Sequence, residues 1–323
     1  MESTAHTFGV GIVSDKEVLA NAKRAFVPPK GGIHPREAAE HHVKYAESIF
    51  KEALEAAKLT INDIDIIAFS QGPGLGPCLR IGAIIGRYLS QRLNIPLYGV
   101  NHCIAHVEIG RFLFDLKLAD VLTLYVSGGN TLICAYDQGR YRVFGETMDI
   151  SIGNLLDVFA REAGLPHPGG PKVEKLAKKG TNLLDLPYIV KGMDLSYSGL
   201  LTASVNKFKE GNSLEDMCFS LQEVAFSMLT EVTERALAHT EKPQVLLTGG
   251  VAANKRLEQM IHNITEEHNA KFVAVPSSLA GDNGAMIAWT GLLHARNEQP
   301  LALNESLVKP NQRIDDITIS WDV

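Results

Sequence analysis

YVSGGNTLICAY, residues 125–136, runs from an apolar strand through a small polar turn into a second strand. ESTAHTFGVGIV, residues 2–13, reads the same way, so the chain carries two similar strand–turn–strand openings and is expected to fold as two related lobes. Further β-rich runs are IDIIAFS (64–70), VLTLYVS (121–127) and QVLLTGG (244–250), with helical periodicity between them. Residues 35–57 begin a helix with Pro35 at its first position, and residues 214–240 follow a Ser213 cap with Asp216 three residues on. Strands alternating with helices define an α/β protein. We expect a first lobe over 1–122, a second over 123–290, and a tail, 291–323, returning to the first.

A chain of 323 residues with 45% apolar content has enough material for two cores. It has no run of about 18 apolar residues and no basic-then-apolar leader, so a soluble, cytoplasmic protein without a membrane span is expected. Cys78, Cys103, Cys134 and Cys218 show no CxxC spacing, which argues against a zinc ribbon or a disulfide scaffold. A net charge of −6 is unlike that of a free-standing nucleic-acid binder, so any RNA contact must be local or shared with a partner.

In NHCIAHVEIGR (101–111), His102 and His106 stand four apart, which puts both imidazoles on one helical face where they can grip one ion. The same spacing also suits two half-buried histidines. A zinc peptidase would need HExxH, and the residue after His102 is Cys103. Two glycine turns close apolar strands, at 127–131 and 248–254, and can present backbone N–H groups to a phosphate or nucleoside. The loop 72–77 is glycine-rich but no Walker A loop, since no Gly-Lys-Ser/Thr follows. Asp157 and Glu174 sit in helical patterns, where lone acids are usually solvated. Asp282 precedes the last long helix, where capping is its default role. Lysines 172, 175, 178 and 179 and the basic group Lys16, Lys23, Arg24, Lys30 and Arg36 could meet RNA phosphates, although interspersed acids favour a solvated face for the first group.

The blocks PPKGGIHPREAAEHH, SQGPGLGPCLRIG, NHCIAHVEIGR, LYVSGGNT, GETMDISIGNLLDVFAR, PHPGGPKVEKLAKKG, LTGGVAAN and GDNGAMIAW occur in one order along almost the whole chain. Together they resemble the TsaD family of tRNA N6-adenosine threonylcarbamoyltransferases, once labelled O-sialoglycoprotein endopeptidases. The wording is similar to the archaeal and eukaryotic branch, the catalytic subunit of the KEOPS complex, and an archaeal source is implied. The resemblance implies an actin-like fold with two lobes around a nucleotide cleft. It implies metal ligands at His102, His106, Tyr125 and Asp282, with iron favoured and zinc as the other option. It also implies contacts to threonylcarbamoyl-AMP, or to an adenine nucleotide in its place, from Tyr125, Val126, Ser127, Gly128, Gly129, Asp157, Gly170, Glu174 and Asn254. Partners implied are tRNA, a small dimerising subunit and a small atypical kinase, the kinase as a separate protein because this sequence ends at Val323. Relatives carry an apolar strand before the Glu-Ser-Thr turn, whereas only Met1 precedes Glu2 here, so the first sheet is expected to be shortened.

The reaction implied is acyl transfer onto N6 of the adenosine at tRNA position 37, in tRNAs reading codons that begin with A, with AMP leaving. Electrophile activation by the metal and by the amides of Ser127 to Gly129, together with positioning of both substrates, would drive it. No covalent nucleophile is expected, and Cys103 is a weak candidate. The alternative is an ATP-hydrolysing or phosphotransfer enzyme of the same fold, which has no need of the histidine pair. A peptidase and a non-enzymatic scaffold rank below it.

Overall fold

A computed structural model describes residues 1–28 and 31–321; Lys30 of the basic group lies outside the described residues. In chain order the elements are β1 (Thr7–Val13), β2 (Val18–Ala25), α1 (Pro35–Ala57), β3 (Ile67–Gly72), α2 (Gly76–Leu93), β4 (Leu97–Asn101), α3 (His102–Phe114), β5 (Val121–Val126), β6 (Thr131–Asp137) and β7 (Arg140–Glu146). There follow α4 (Ile152–Glu162), α5 (Gly170–Ala177), β8 (Val190–Lys191), β9 (Asp194–Leu195), α6 (Ser198–Lys209), α7 (Leu214–Thr240), β10 (Gln244–Thr248), α8 (Lys255–Glu267), β11 (Lys271–Ala274), α9 (Ser277–Ala280) and α10 (Gly284–Asn297). No helix among the described residues is long and apolar enough to cross a membrane. The elements make the actin-like α/β fold expected from the sequence.

The contacts divide the chain into two compact units: residues 1–115, 138–141 and 282–323 in one, and 116–137 with 142–281 in the other. The division differs from the expected 122 and 290 because α10 packs against β1, β3 and α3, which draws the chain from Asp282 onward into the first unit.

In the first unit β1 and β2 form an antiparallel pair and β3 and β4 a parallel one. Ahead of β1, Glu2 makes a single bridge with Gly9. Met1 continues toward β3, its buried amine donating to Ala68 O at 2.7 Å and its carbonyl accepting from Ser70 N at 3.0 Å. Beside Met1 a cavity of about 530 Å³ opens among Val10, Ile12, Phe50, Leu54, Ile66 and Leu292. Opposite, β1 and α10 touch backbone to backbone. A Cβ on Gly11 would lie 2.2 Å from Ala285 N, and one on Gly284 would lie 2.1 Å from Gly11 N. That close approach fixes where α10 starts, and so where Asp282 stands.

In the second unit the sheet order is β11-β10-β5-β6-β7. β5 runs antiparallel to β6 and parallel to β10, and β10 runs parallel to β11. The buried face packs on α4, α7 and α8 through residues such as Leu124, Leu156, Phe159, Phe226, Leu247 and Ile261. Ser213 caps α7 as expected by accepting from Asp216 N. Asp216 does not complete a capping box. Its carboxylate accepts from the Thr181 and Asn182 N–H groups and so ties the chain after α5 to the start of α7.

Candidate metal centre and adenylate cradle

β4 ends in Asn101, whose side chain caps α3 by accepting from Cys103 N and Ile104 N at 2.9 and 3.1 Å. The cap starts α3 at His102, and one turn later His106 lies over the same face, the two rings 4.7 Å apart and edge-on. Asp282 meets them from the other end of the sequence. The expected capping role falls instead to Asn283, which accepts from Met286 N at 3.0 Å and leaves the Asp282 carboxylate free of the helix. Its Oδ1 lies 3.4 Å from His106 Nε2 and 3.6 Å from His102 Nε2, and the three donor atoms all fall within 4.8 Å of one another.

These spacings fit an ion. Metal–donor bonds near 2.1 Å with tetrahedral or wider angles hold neighbouring donors about 3.4 Å apart or more. Two imidazole nitrogens and a carboxylate oxygen are also a complete chemical set for a first-row metal. Behind the donors lies a residue that sequence reasoning did not single out. Glu2, wholly buried, places Oε2 2.9 Å from His102 Nδ1 and takes hydrogen bonds on Oε1 from the Thr4 backbone N–H and hydroxyl. No local pattern marked it, because its role comes from folding residue 2 against residue 102.

Electrostatics follow from this crowding. Burial alone would depress His102, but the Glu2 carboxylate, by charge and hydrogen bond, and then Asp282 outweigh it and raise the imidazole to about 9. His106 is lowered, chiefly by burial. Burial would raise Asp282, yet the hydrogen bond to His106 and the charge of His102 hold it far below the ordinary carboxylate range. Cys103 is buried, and desolvation pushes its thiol up to about 12, so it is no nucleophile.

The residues expected to contact the adenylate belong to the second unit, Tyr125 among them, whereas Lys16, Lys23, Arg24 and Arg36 of the basic group lie in the first. Tyr125 is wholly buried on β5, in register with Leu132 and Thr248, and Val126 ends the strand. The turn that follows is internally tied. Ser127 N donates to Asn130 O, while Ser127 Oγ accepts from Gly129 N and Asn130 N. Two of the three amides expected to face a phosphate are therefore already engaged, which corrects that expectation. What the turn offers is access, since nothing lies within 4 Å of a Cβ built on Gly128, Gly129 or Gly250.

Other glycines hold the cradle together. Gly249 sits at φ +99°, and a Cβ there would be 2.1 Å from Val126 O; one on Gly153 would be 2.5 Å from Ser127 O. These approaches press the two glycine turns and the start of α4 against one another. Asn254 caps α8 by accepting from Arg256 N and Leu257 N, and its amide donates to Gln222 Oε1. Glu174 on α5 accepts from Lys255 N at 3.2 Å, which joins α5 to the start of α8. Asp157 accepts from Gly169 N at 2.7 Å, and Gly170 begins α5. The lysines at 172, 175, 178 and 179 are exposed, and Lys178 pairs with Glu174.

A family model described as TsaD, tRNA N6-adenosine threonylcarbamoyltransferase, matches residues 17–289. The chain belongs to the TsaD family. It is a transferase by that membership. A protein named tRNA N6-adenosine threonylcarbamoyltransferase in Thermococcus sibiricus is 55% identical over 99% of this chain and 98% of its own length. A protein named probable bifunctional tRNA threonylcarbamoyladenosine biosynthesis protein in Methanocaldococcus jannaschii is 56% identical over 99% of this chain, which spans 59% of that relative's length. Among solved structures, HypF from T. kodakarensis matches at a TM-score of 0.62 with 16% identity, over 90% of this chain and 47% of that one, a likeness of fold alone.

Proposed function

We propose that the chain transfers the threonylcarbamoyl group from threonylcarbamoyl-AMP to N6 of the adenosine at tRNA position 37, releasing AMP, as the catalytic subunit of a KEOPS-type assembly in the cytoplasm. The observation that carries this reading is the convergence of His102, His106 and Asp282 within a chain of the TsaD family. A phosphotransfer enzyme of the same fold has no use for such a donor set.

In this reading the two histidines and Asp282 hold one metal ion, with Tyr125 as a further ligand. Mixed nitrogen and oxygen donors suit iron and zinc alike, and iron is the first choice from the resemblance to the family. Such an ion supplies Lewis acidity toward a carbonyl or phosphoryl oxygen. The chain's own residues bind and orient. The open faces of Gly128, Gly129 and Gly250 let the adenylate approach the backbone, with Val126 and Ser127 beside them. Asp157 and Glu174 offer carboxylate acceptors and Asn254 an amide donor, and Gly170 leaves room at the start of α5. The incoming N6 forms a bond to the carbamoyl carbon and loses one proton, while the bond from that carbon to the phosphate oxygen breaks and its electron pair leaves with AMP. The buried, protonated Cys103 supports direct attack without a thiol intermediate.

The net charge of −6 supports a shared route for tRNA, with KEOPS partners, including a small dimerising subunit and a small kinase, supplying part of the RNA surface. The test is reconstitution of the chain with those partners, an adenylate-forming enzyme, threonine, bicarbonate, ATP and unmodified tRNA. We expect threonylcarbamoyladenosine in the digested tRNA. Its absence with every component present and metal bound would overturn the reading.

A further inference from the structure

We infer that Glu2 is the positioning residue of the metal centre and acts through His102; the inference rests on the metal-site reading above. An imidazole can ligate an ion through either nitrogen, and the hydrogen bond made by the other nitrogen selects which. Glu2 Oε2 lies 2.9 Å from His102 Nδ1. A neutral ring then carries its proton on Nδ1, donated to the carboxylate, and turns the Nε2 lone pair toward Asp282 and His106. The carboxylate also raises electron density on the ring, which makes Nε2 a better donor.

Glu2 is built to hold that position. Its own N–H donates to Gly9 O at 2.8 Å, and its carbonyl accepts from Gly9 N at 2.9 Å. The neighbouring residues are anchored to β3, Met1 on Ala68 and Ser70 and Ser3 on the Ser70 hydroxyl. Oε1 is occupied by Thr4, whose backbone N–H and hydroxyl donate at 2.6 and 2.5 Å, so the carboxylate plane is fixed and Oε2 is the carboxylate oxygen that faces Nδ1, at 2.9 Å against 3.4 Å for the Thr4 hydroxyl. Among residues 2–6 this is more order than a turn requires. It makes sense if the turn exists to orient one ring.

The experiment measures Zn²⁺ affinity by chelator competition, and the Co²⁺ ligand-field spectrum, on the full chain and on Glu2→Ala, Glu2→Gln, His102→Ala and the double variant Glu2→Ala/His102→Ala. Thermal unfolding confirms that each variant is folded. We expect Glu2→Ala to weaken metal binding about 10- to 100-fold and shift the Co²⁺ bands, and Glu2→Gln, whose one amide oxygen cannot serve both Thr4 and Nδ1–H, to lose part of that affinity. In the His102→Ala background the Glu2→Ala change should cost nothing further. An equal loss with and without His102 would show that Glu2 serves the fold rather than the ring, and would overturn the inference. Should Glu2→Ala not fold, Glu2→Gln carries the test: weakened binding and shifted bands that vanish in the His102→Ala background support the inference, and parent-like affinity and bands overturn it. If His102→Ala itself bound Zn²⁺ as tightly as the parent chain, the metal-site reading would fail separately.

Discussion

His42 is a histidine with no place in the proposed chemistry, yet its burial makes folding sensitive to acid. It is wholly buried on α1 with its ring 5.6 Å from that of Phe8, and burial, reinforced by the charge of His41, lowers it to about 4. The folded state therefore binds this proton less readily than the unfolded chain, whose histidine titrates near 6.5. Stability from this group is constant above pH 6.5, begins to fall as pH drops through 6.5, and stops falling below about pH 4. The loss between pH 7 and pH 5 is about 2 kcal/mol. Urea unfolding of the parent chain and of His42→Phe at both pH values should show that the variant escapes this part of the acid loss; equal losses would contradict the assignment. At the same scale, the residues of the candidate metal centre and its surroundings differed in how far sequence betrayed them. His102 and His106 could be paired because their spacing matches a helical turn. Asp282 was hidden by a plausible capping role that Asn283 performs, and Glu2 could not be seen at all, because its partner is 100 residues away.

The start of α6 shows an element set by one acid that the sequence reading passed over. Asp149 accepts from Ile150 N and Tyr197 N on one oxygen and from Ser198 N and the Ser196 and Ser198 hydroxyls on the other. A carboxylate at the amino end of a helix also meets the positive end of its dipole. Burial works the other way, but these hydrogen bonds, led by the two serine hydroxyls, hold Asp149 far below the ordinary carboxylate range. Asp149→Asn keeps the shape and leaves a donor where an acceptor is needed. After allowance for solvent exposure it should cost about 1–2 kcal/mol and raise hydrogen exchange at residues 196–200; an unchanged exchange pattern there would show that another contact fastens α6. Elements whose pattern is local were legible from sequence. α1 and α7 begin and end at the expected residues because Pro35 and Ser213 mark their starts. Strand ends shifted by up to three residues, β3 to Ile67–Gly72, since an apolar run does not say where its ladder begins. The first opening also misled: its strands are β1 and β2, with β2 downstream at Val18–Ala25, while residues 2–6 form the turn that carries Glu2.

At the scale of the molecule, the α/β class was readable because it depends on the order of elements, whereas the division into units was not, because α10 returns to β1 across most of the sequence. The proposed metal donors and the proposed adenylate contacts fall on different sides of that division, Tyr125 apart. His102, His106 and Asp282 belong to the first unit, and the glycine turns, Asp157, Glu174 and Asn254 belong to the second. Metal and adenylate binding should therefore be lost independently. The double variant His102→Ala/His106→Ala is expected to lose its metal and bind AMP within about 2-fold of the parent, because no residue of the cradle changes. Gly128→Val is expected to do the reverse. Open space around a Cβ at Gly128 lets the fold accept the side chain, while an adenylate approaching the backbone there would be blocked, so AMP affinity should fall about 10-fold or more with metal content unchanged. Tyr125 decides whether the separation is complete. It lies in the second unit, and if its phenol is a ligand, Tyr125→Phe should weaken metal binding about 10-fold while the fold holds, since the buried ring is kept. Metal content measured by elemental analysis and AMP affinity measured by calorimetry on these three variants give the answer. Unchanged metal affinity in Tyr125→Phe would leave the ion to the two histidines and Asp282 alone, and the second unit would then contribute the adenylate and nothing to the metal.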